Sequence, residues 1–229
     1  MFDVHNLNAA YGQSEVLHGI DFSIPRGEIV AVVGRNGMGK STLMKSLIGV
    51  MQPKSGQVIV NGTDVARLPS HARVKHGIAY VPQGRQIFGT MTVKENIETG
   101  LVVTGKKDIP DNIYGLFPIL AEFEKRRGGN LSGGQQQQLA IARALASDPK
   151  VLLLDEPTEG IQPSIIKDIA RVLRDIRDMT NMCILVCEQV LSFVLDVADR
   201  ILVMENGRIV HTDHREHVDE AAIAKYLAV

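Results

Sequence analysis

Five consecutive aliphatic residues, Ile29–Val33, run directly into Gly34-Arg35-Asn36-Gly37-Met38-Gly39-Lys40-Ser41, and that loop opens the helix-forming stretch KSTLMKSLIGV. No other segment restricts the fold as tightly. An all-aliphatic run of strand length calls for burial on both faces, which a parallel sheet covered by helices provides. The spacing G-x-x-x-x-G-K-[ST] between strand and helix lets successive backbone N–H groups converge on phosphate oxygens, with the positive helix end behind them. Lys40 can then reach the β- and γ-phosphates of a nucleotide, and the Ser41 hydroxyl can ligate Mg²⁺.

Similar runs recur at 2–7, 20–24, 57–60, 78–81, 151–154, 183–186 and 201–204, and helical patterns lie at 40–50, 135–147 and 163–179. Asn206-Gly207 between two strand-like runs predicts a hairpin. The stretch 84–130 is poorer in strands and punctuated by Gly and Pro, so it is expected to be an insertion between two halves of an α/β sheet. The expected fold is α/β, mainly parallel, with antiparallel additions at the edges.

Two further elements carry chemistry. In Val151-Leu-Leu-Leu-Asp155-Glu156-Pro157, a buried strand delivers adjacent carboxylates to its carboxyl end, where α/β sheets bind ligands. Asp155 suits a Mg²⁺ shell and Glu156 suits polarising an attacking water. Leu131-Ser132-Gly133-Gly134-Gln135 precedes a helical pattern. Ser132 is a good cap, and the paired glycines expose N–H groups, making a second anion-binding end in a chain with one Lys-bearing phosphate loop. Alone, it also reads as an ordinary capped helix.

Composition narrows the partners. At 229 residues the chain makes one large domain or two small ones and buries enough surface to need no disulfide. Its 25 Lys+Arg against 26 Asp+Glu give a net charge of −1, which argues against nucleic acid as a partner. No apolar run reaches the ~18–20 residues of a membrane span, and the first residues lack signal-peptide order. Cys183 and Cys187 on one strand face would stand about 13 Å apart, too far to bridge, so they are expected as buried thiols in a reducing compartment. His211, His214 and His217 would share a ragged face on a helix, but flanking charges favour a solvated tail over a metal site.

In combination these motifs resemble the nucleotide-binding subunits of ABC transporters over essentially the whole chain. GRNGMGKS is similar to the Walker A loop, VLLLDE to the Walker B strand, LSGGQ to the family signature, and Gln83 in YVPQG to the Q-loop glutamine. The resemblance implies a P-loop NTPase (RecA-like) core with a mainly parallel sheet, an antiparallel β subdomain and an inserted α-helical subdomain. It implies a single domain, 1–229, with an ATP-binding core at about 1–83 and 150–229 and a helical signature subdomain at about 84–149.

It further implies ATP and Mg²⁺ as cofactors. Nucleotide contacts would come from Tyr11 stacking on adenine, from Gly34, Arg35, Asn36, Gly37, Met38, Gly39, Lys40, Ser41 and Thr42, and from Ser132, Gly133, Gly134 and Gln135. These last four would act on a nucleotide held by a second subunit, a head-to-tail partner expected to be a paralogue. Glu156, Lys40, Gln83 and Gln189 would be catalytic, and Ser41, Gln83 and Asp155 would face the metal. Transmembrane permease subunits, and through them a solute-binding protein, are the implied partners, on the cytoplasmic side of the plasma membrane.

Within the family the chain is similar to the short ATPases of the branched-chain amino-acid uptake group. VPQGRQIF, LSGGQQQQLAIARAL and DEPTEGIQPSII most resemble those of urea transporters, which makes urea the expected solute and branched-chain amino acids or short amides the alternative. Two positions depart from the wider family: Gln189 stands where a switch His is usual and Gln162 where an Asp is usual. Gln189 can donate a hydrogen bond but cannot carry a proton at neutral pH, so acid–base chemistry would rest on Glu156. A switch on ribosomes or DNA is disfavoured by the single ATP module and the neutral charge, and an exporter by the uptake-type motifs.

Overall fold

The computed structural model describes residues 1–227; positions 228 and 229, the end of the expected single domain, lie outside the described residues. The chain begins with the antiparallel strands β1 (Phe2–Tyr11) and β2 (Ser14–Ile24), followed by β3 (Ile29–Val33), α1 (Lys40–Ile48), β4 (Ser55–Val60) and β5 (Thr63–Asp64). Next come α2 (Ser70–Lys75), β6 (Ile78–Val81), α3 (Val93–Leu101), α4 (Asp111–Leu116), α5 (Pro118–Glu122) and α6 (Gly133–Leu145). The remainder is β7 (Val151–Asp155), α7 (Pro163–Thr180), β8 (Cys183–Glu188), α8 (Leu191–Val197), β9 (Arg200–Glu205), β10 (Arg208–His214) and α9 (Glu220–Leu227).

Six strands form one sheet in the order β10-β9-β3-β8-β7-β6; all neighbours pair in parallel except β9 and β10, which form the hairpin expected at Asn206-Gly207. The other four, β2-β1-β4-β5, make a separate antiparallel sheet. Between β6 and β7 the chain is helical, α3 to α6, within the expected insertion. The architecture is thus the expected α/β P-loop fold with its antiparallel and helical additions.

The aliphatic runs lack polar alternation because each strand feeds two cores. Leu152, Leu154, Ile184 and Val186 join the cluster under α3, α6 and α7. Val151, Leu153, Leu185 and both cysteines join the opposite cluster, with Leu43 and Leu47 of α1 and Phe2, Leu17 and Val58 of the antiparallel sheet. Each such side chain contributes about 1.5–3 kcal/mol on burial. The cysteines are free, and burial raises both thiol pKa values, so they behave as small apolar side chains.

Several elements differ from expectation. β1 and β2 extend well beyond 2–7 and 20–24 because register shifts break the alternation. Asn8 bridges the irregularity, its amide donating to the Asn6 carbonyl and its Oδ1 accepting from Gly19 N–H. The signature helix starts at Gly133, two residues before the expected 135, since Ser132 itself is the cap. His211 and His214 lie on β10, an odd number of residues apart, and therefore face opposite ways rather than sharing a helix face. Among the described residues no cluster of three or more His, Cys, Asp or Glu side chains is arranged to hold a metal ion, and no helix is long and apolar enough to cross a membrane.

The fully buried Arg73 on α2 secures the far end of α1. Its guanidinium donates to the carbonyls of Ser46, Leu47, Ala66 and Leu68 at 2.5–2.9 Å. The first two are among the carbonyls that the end of α1 leaves without helical partners. Burial lowers the Arg73 pKa to about 10, so the group stays charged at neutral pH.

Candidate functional site

The loop 34–41 is held from below by the β9–β10 turn. Gly207 N–H donates to the Met38 carbonyl at 3.0 Å. A Cβ on Gly34 would collide with the Met204 carbonyl, so close backbone approach dictates glycine there. Gly39 caps α1 at φ 105, a left-handed conformation that any other residue resists. Lys40 is buried and folds back over the loop, donating to the carbonyls of Gly34 at 2.8 Å and Arg35 at 3.1 Å.

β7 ends beside α1. Asp155 is buried; its Oδ1 accepts from the Ser41 hydroxyl and its Oδ2 from the Tyr80 hydroxyl, both at 3.3 Å. Burial raises its pKa, more than these bonds lower it. For Tyr80, burial and the neighbouring carboxylate raise the phenol pKa, so it remains a donor. Ser41 in the first turn of α1 and Asp155 at the end of β7 are adjacent hard oxygen donors, a pair whose chemistry fits Mg²⁺.

Glu156 leaves the strand with φ 48, its N–H bonded to the Cys187 carbonyl at 2.9 Å. That turn carries its carboxylate over the loop. Oε1 accepts from Gln189 at 2.7 Å and lies 3.6 Å from the Lys40 ammonium, while Oε2 accepts from Gln83 at 3.1 Å. The Gln189 amide also donates to Asn36 Oδ1 at 2.8 Å. Side chains that follow β3, β6 and β8 thus meet on the carboxylate that follows β7. They flank a cleft of about 170 Å³ lined by Asn36, Gly37, Gly39, Lys40, Ser41, Thr42, Gln83 and Glu156, and by Val16 of β2.

Not every expected residue reaches this cleft. Tyr11 stands at the exposed tip of the β1–β2 hairpin, outside the lining. Ser132 and Gln135 form a reciprocal cap, with the Ser132 Oγ accepting from Gln135 N–H and Gln135 Oε1 accepting from Ser132 N–H. They too lie outside it, as does Gln162 at the start of α7. Gly134 is required by packing, since a Cβ would stand 2.5 Å from Ile165.

Four residues of the site escaped the sequence analysis: Val16, Tyr80, Arg85 and Glu188. Arg85, with φ 66, donates to the carbonyls of Glu159 and Gly160, joining the segment after Gln83 to the segment after Glu156. No motif spacing signals these contacts, though Tyr80 beside the 81–83 motif was a visible polar group on a buried strand. A larger concavity of 290 Å³ opens at the opposite ends of β7 and β8, beside Val151 and Met182. The last turns of α6 and α7 line it, and its Lys106 is paired with Asp148 at 3.5 Å.

Comparison with known proteins agrees with this geometry. A sequence profile described as ABC transporter matches residues 17–159. The chain is 41% identical, over 93% of its length and 92% of the relative's, to the high-affinity branched-chain amino acid transport ATP-binding protein BraG of Pseudomonas aeruginosa. It is 40% identical, over 89% and 87%, to the probable branched-chain amino acid transport ATP-binding protein LivF of Archaeoglobus fulgidus. Among solved structures, an ATP-binding cassette of an ABC transporter superposes with a TM-score of 0.88 at 26% identity, covering 100% of this chain and 99% of the other.

Proposed function

The chain belongs to the ABC transporter family as an ATP-hydrolysing cassette that uses ATP and Mg²⁺, and from that premise we propose that it powers import of a small polar solute, with branched-chain amino acids first in line. The two relatives named for branched-chain amino-acid transport support that solute. The resemblance of VPQGRQIF, LSGGQQQQLAIARAL and DEPTEGIQPSII to urea transporters supports urea as the second reading.

The observation that carries the enzymatic reading is the Glu156 carboxylate, held by Gln83 and Gln189 above the phosphate loop and 3.6 Å from Lys40. In the proposed reaction the loop N–H groups cradle the phosphates and Lys40 exchanges its loop carbonyls for phosphate oxygens. Ser41 and Asp155 would hold Mg²⁺, which when bound would supply charge neutralisation. Glu156 takes a proton from water as the water oxygen bonds to the γ-phosphorus and the bond from that phosphorus to the bridging oxygen breaks. Gln189 orients Glu156 and stores no proton. Gln83 lies where occupancy of the cleft can be passed to the helical insertion and on to a membrane subunit.

Ser132, Gly133, Gly134 and Gln135 lie outside the cleft of their own chain, and a head-to-tail second cassette gives them a nucleotide to contact, with Gln162 facing that cassette. In this reading the chain sits against permease subunits on the cytoplasmic face of the membrane, with Tyr11 free to stack on adenine. The deciding experiment is solute uptake in a strain lacking the gene. Loss of leucine, isoleucine and valine uptake with unchanged urea uptake supports the first solute; the reverse pattern supports the second. Crosslinking from residues 83–96 should recover a multi-spanning membrane protein, whereas recovery of ribosomes or DNA would overturn the transporter role.

A further inference from the structure

Two carboxylates are buried among the described residues, and the proposed chemistry uses only Asp155. The other, Glu188, is 3% exposed at the end of β8 and has no ion pair among the described residues. Four neutral donors satisfy it instead. Its Oε2 accepts from the Thr158 N–H at 3.2 Å and the Thr158 hydroxyl at 2.8 Å. Its Oε1 accepts from the N–H groups of Gln189 at 2.8 Å and Val190 at 3.3 Å. A buried charge without a cation is costly and persists only where its hydrogen bonds are all made.

The two oxygens serve two different segments. Thr158 opens the stretch that leads from Glu156 past Gln162 into α7, and the same stretch is tied further on by Arg85. Gln189 carries the amide bonded to both Glu156 Oε1 and Asn36 Oδ1. We propose that Glu188 is a positioning residue: by sharing one carboxylate between Thr158 and the Gln189 backbone, it sets the Gln189 amide on Glu156 and makes that setting follow the 158–162 segment. A displacement of this segment moves the acceptor that locates Gln189, so a partner pressing on 158–162 adjusts the base without touching it. The inference rests on the proposed roles of Glu156 and Gln189.

Glu188→Gln replaces one acceptor oxygen with an amide that cannot accept, so one of the two segments loses its anchor. Thr158→Val removes the hydroxyl donor only, and Thr158→Ser keeps it. Steady-state ATP hydrolysis and calorimetric Mg-ADP binding are measured for full-length variants, well below the lowest melting temperature of the set. The expected result is a loss in kcat of about tenfold for Glu188→Gln and about threefold for Thr158→Val, with the Mg-ADP Kd and the KM for ATP within about twofold.

Thr158→Ser should restore kcat, and the double variant Glu188→Gln/Thr158→Val should be no slower than Glu188→Gln alone, since both sever one link. A merely structural brace would lower the melting temperature and leave kcat unchanged, which overturns the proposal; so does multiplicative loss in the double variant. If Glu188→Gln does not fold, the Thr158→Val and Thr158→Ser pair decides. With Glu156→Gln inactive in the same assay, wild-type kcat in the Glu188 and Thr158 variants overturns this proposal alone; a normally active Glu156→Gln overturns the reading of the site.

Discussion

Replacing Glu156 by Gln should separate binding from hydrolysis in opposite directions. The Glu156 carboxylate is 11% exposed and stands 3.6 Å from Lys40, itself 3% exposed. At an effective dielectric near 20, that pair is worth about 4–5 kcal/mol. An arriving γ-phosphate must take Lys40 from this partner and also approach a second negative charge. The amide keeps the size and removes both penalties. Even if only about 1.4 kcal/mol of the pair reaches binding, affinity for a non-hydrolysable ATP analogue rises about tenfold. Hydrolysis, deprived of its general base, falls by about 10²–10⁴-fold. Calorimetry reads the first and phosphate release at saturating Mg-ATP the second. Turnover within about threefold of the parent protein would refute Glu156 as the base, and weaker analogue binding would refute the charge argument.

Lys40→Ala should abolish calorimetric nucleotide binding or nearly so, since among the described residues the ammonium is the one cation lining the cleft. Asp155 makes a pH-dependent prediction. Burial raises its pKa, so the folded protein holds this proton more tightly than the unfolded chain, and the stability it lends at low pH is lost as pH rises through its folded pKa. Asp155→Asn should therefore melt higher than the parent near neutral pH, with a gap that narrows on acidification, while Mg²⁺ no longer supports hydrolysis; a lower melting temperature at neutral pH would contradict this. Arg73→Met leaves four backbone carbonyls without their donor and should cost about 3–5 kcal/mol. At about 2–4 °C per kcal/mol for a chain of this size, thermal melts should shift down by roughly 6–20 °C, with Arg73→Lys between.

Much of the architecture was legible locally. Ile29–Val33, 151–154 and 183–186 are apolar throughout because both sides of their sheet are covered, and that pattern needs no partner to be read. Ser132 was readable as a cap, and Thr92 with Glu95 opens α3 with the same local capping pattern. The long β1–β2 hairpin was not readable, because register shifts around Asn6 and Asn8 erase the period of two. The histidines of β10, expected in a solvated tail, instead stand on a strand paired with β9, a partner that their own spacing does not reveal.

The site divides along the same line. Phosphate loop, carboxylate pair and capped signature are each built within a few residues by turns, glycines and helix ends, whose energetics are local, so the sequence alone determined them and the family they mark. Which residues meet on Glu156 is a different matter. Lys40, Gln83 and Gln189 converge on it, and Asn36 on Gln189, because β3, β8, β7 and β6 lie in that order with their carboxyl ends aligned. Strand order is set by packing on both faces of the whole sheet, not by any one strand. Only the tertiary structure could therefore decide that Tyr80 holds Asp155, that Arg85 reaches the segment after Glu156, and that Glu188 joins Thr158 to Gln189.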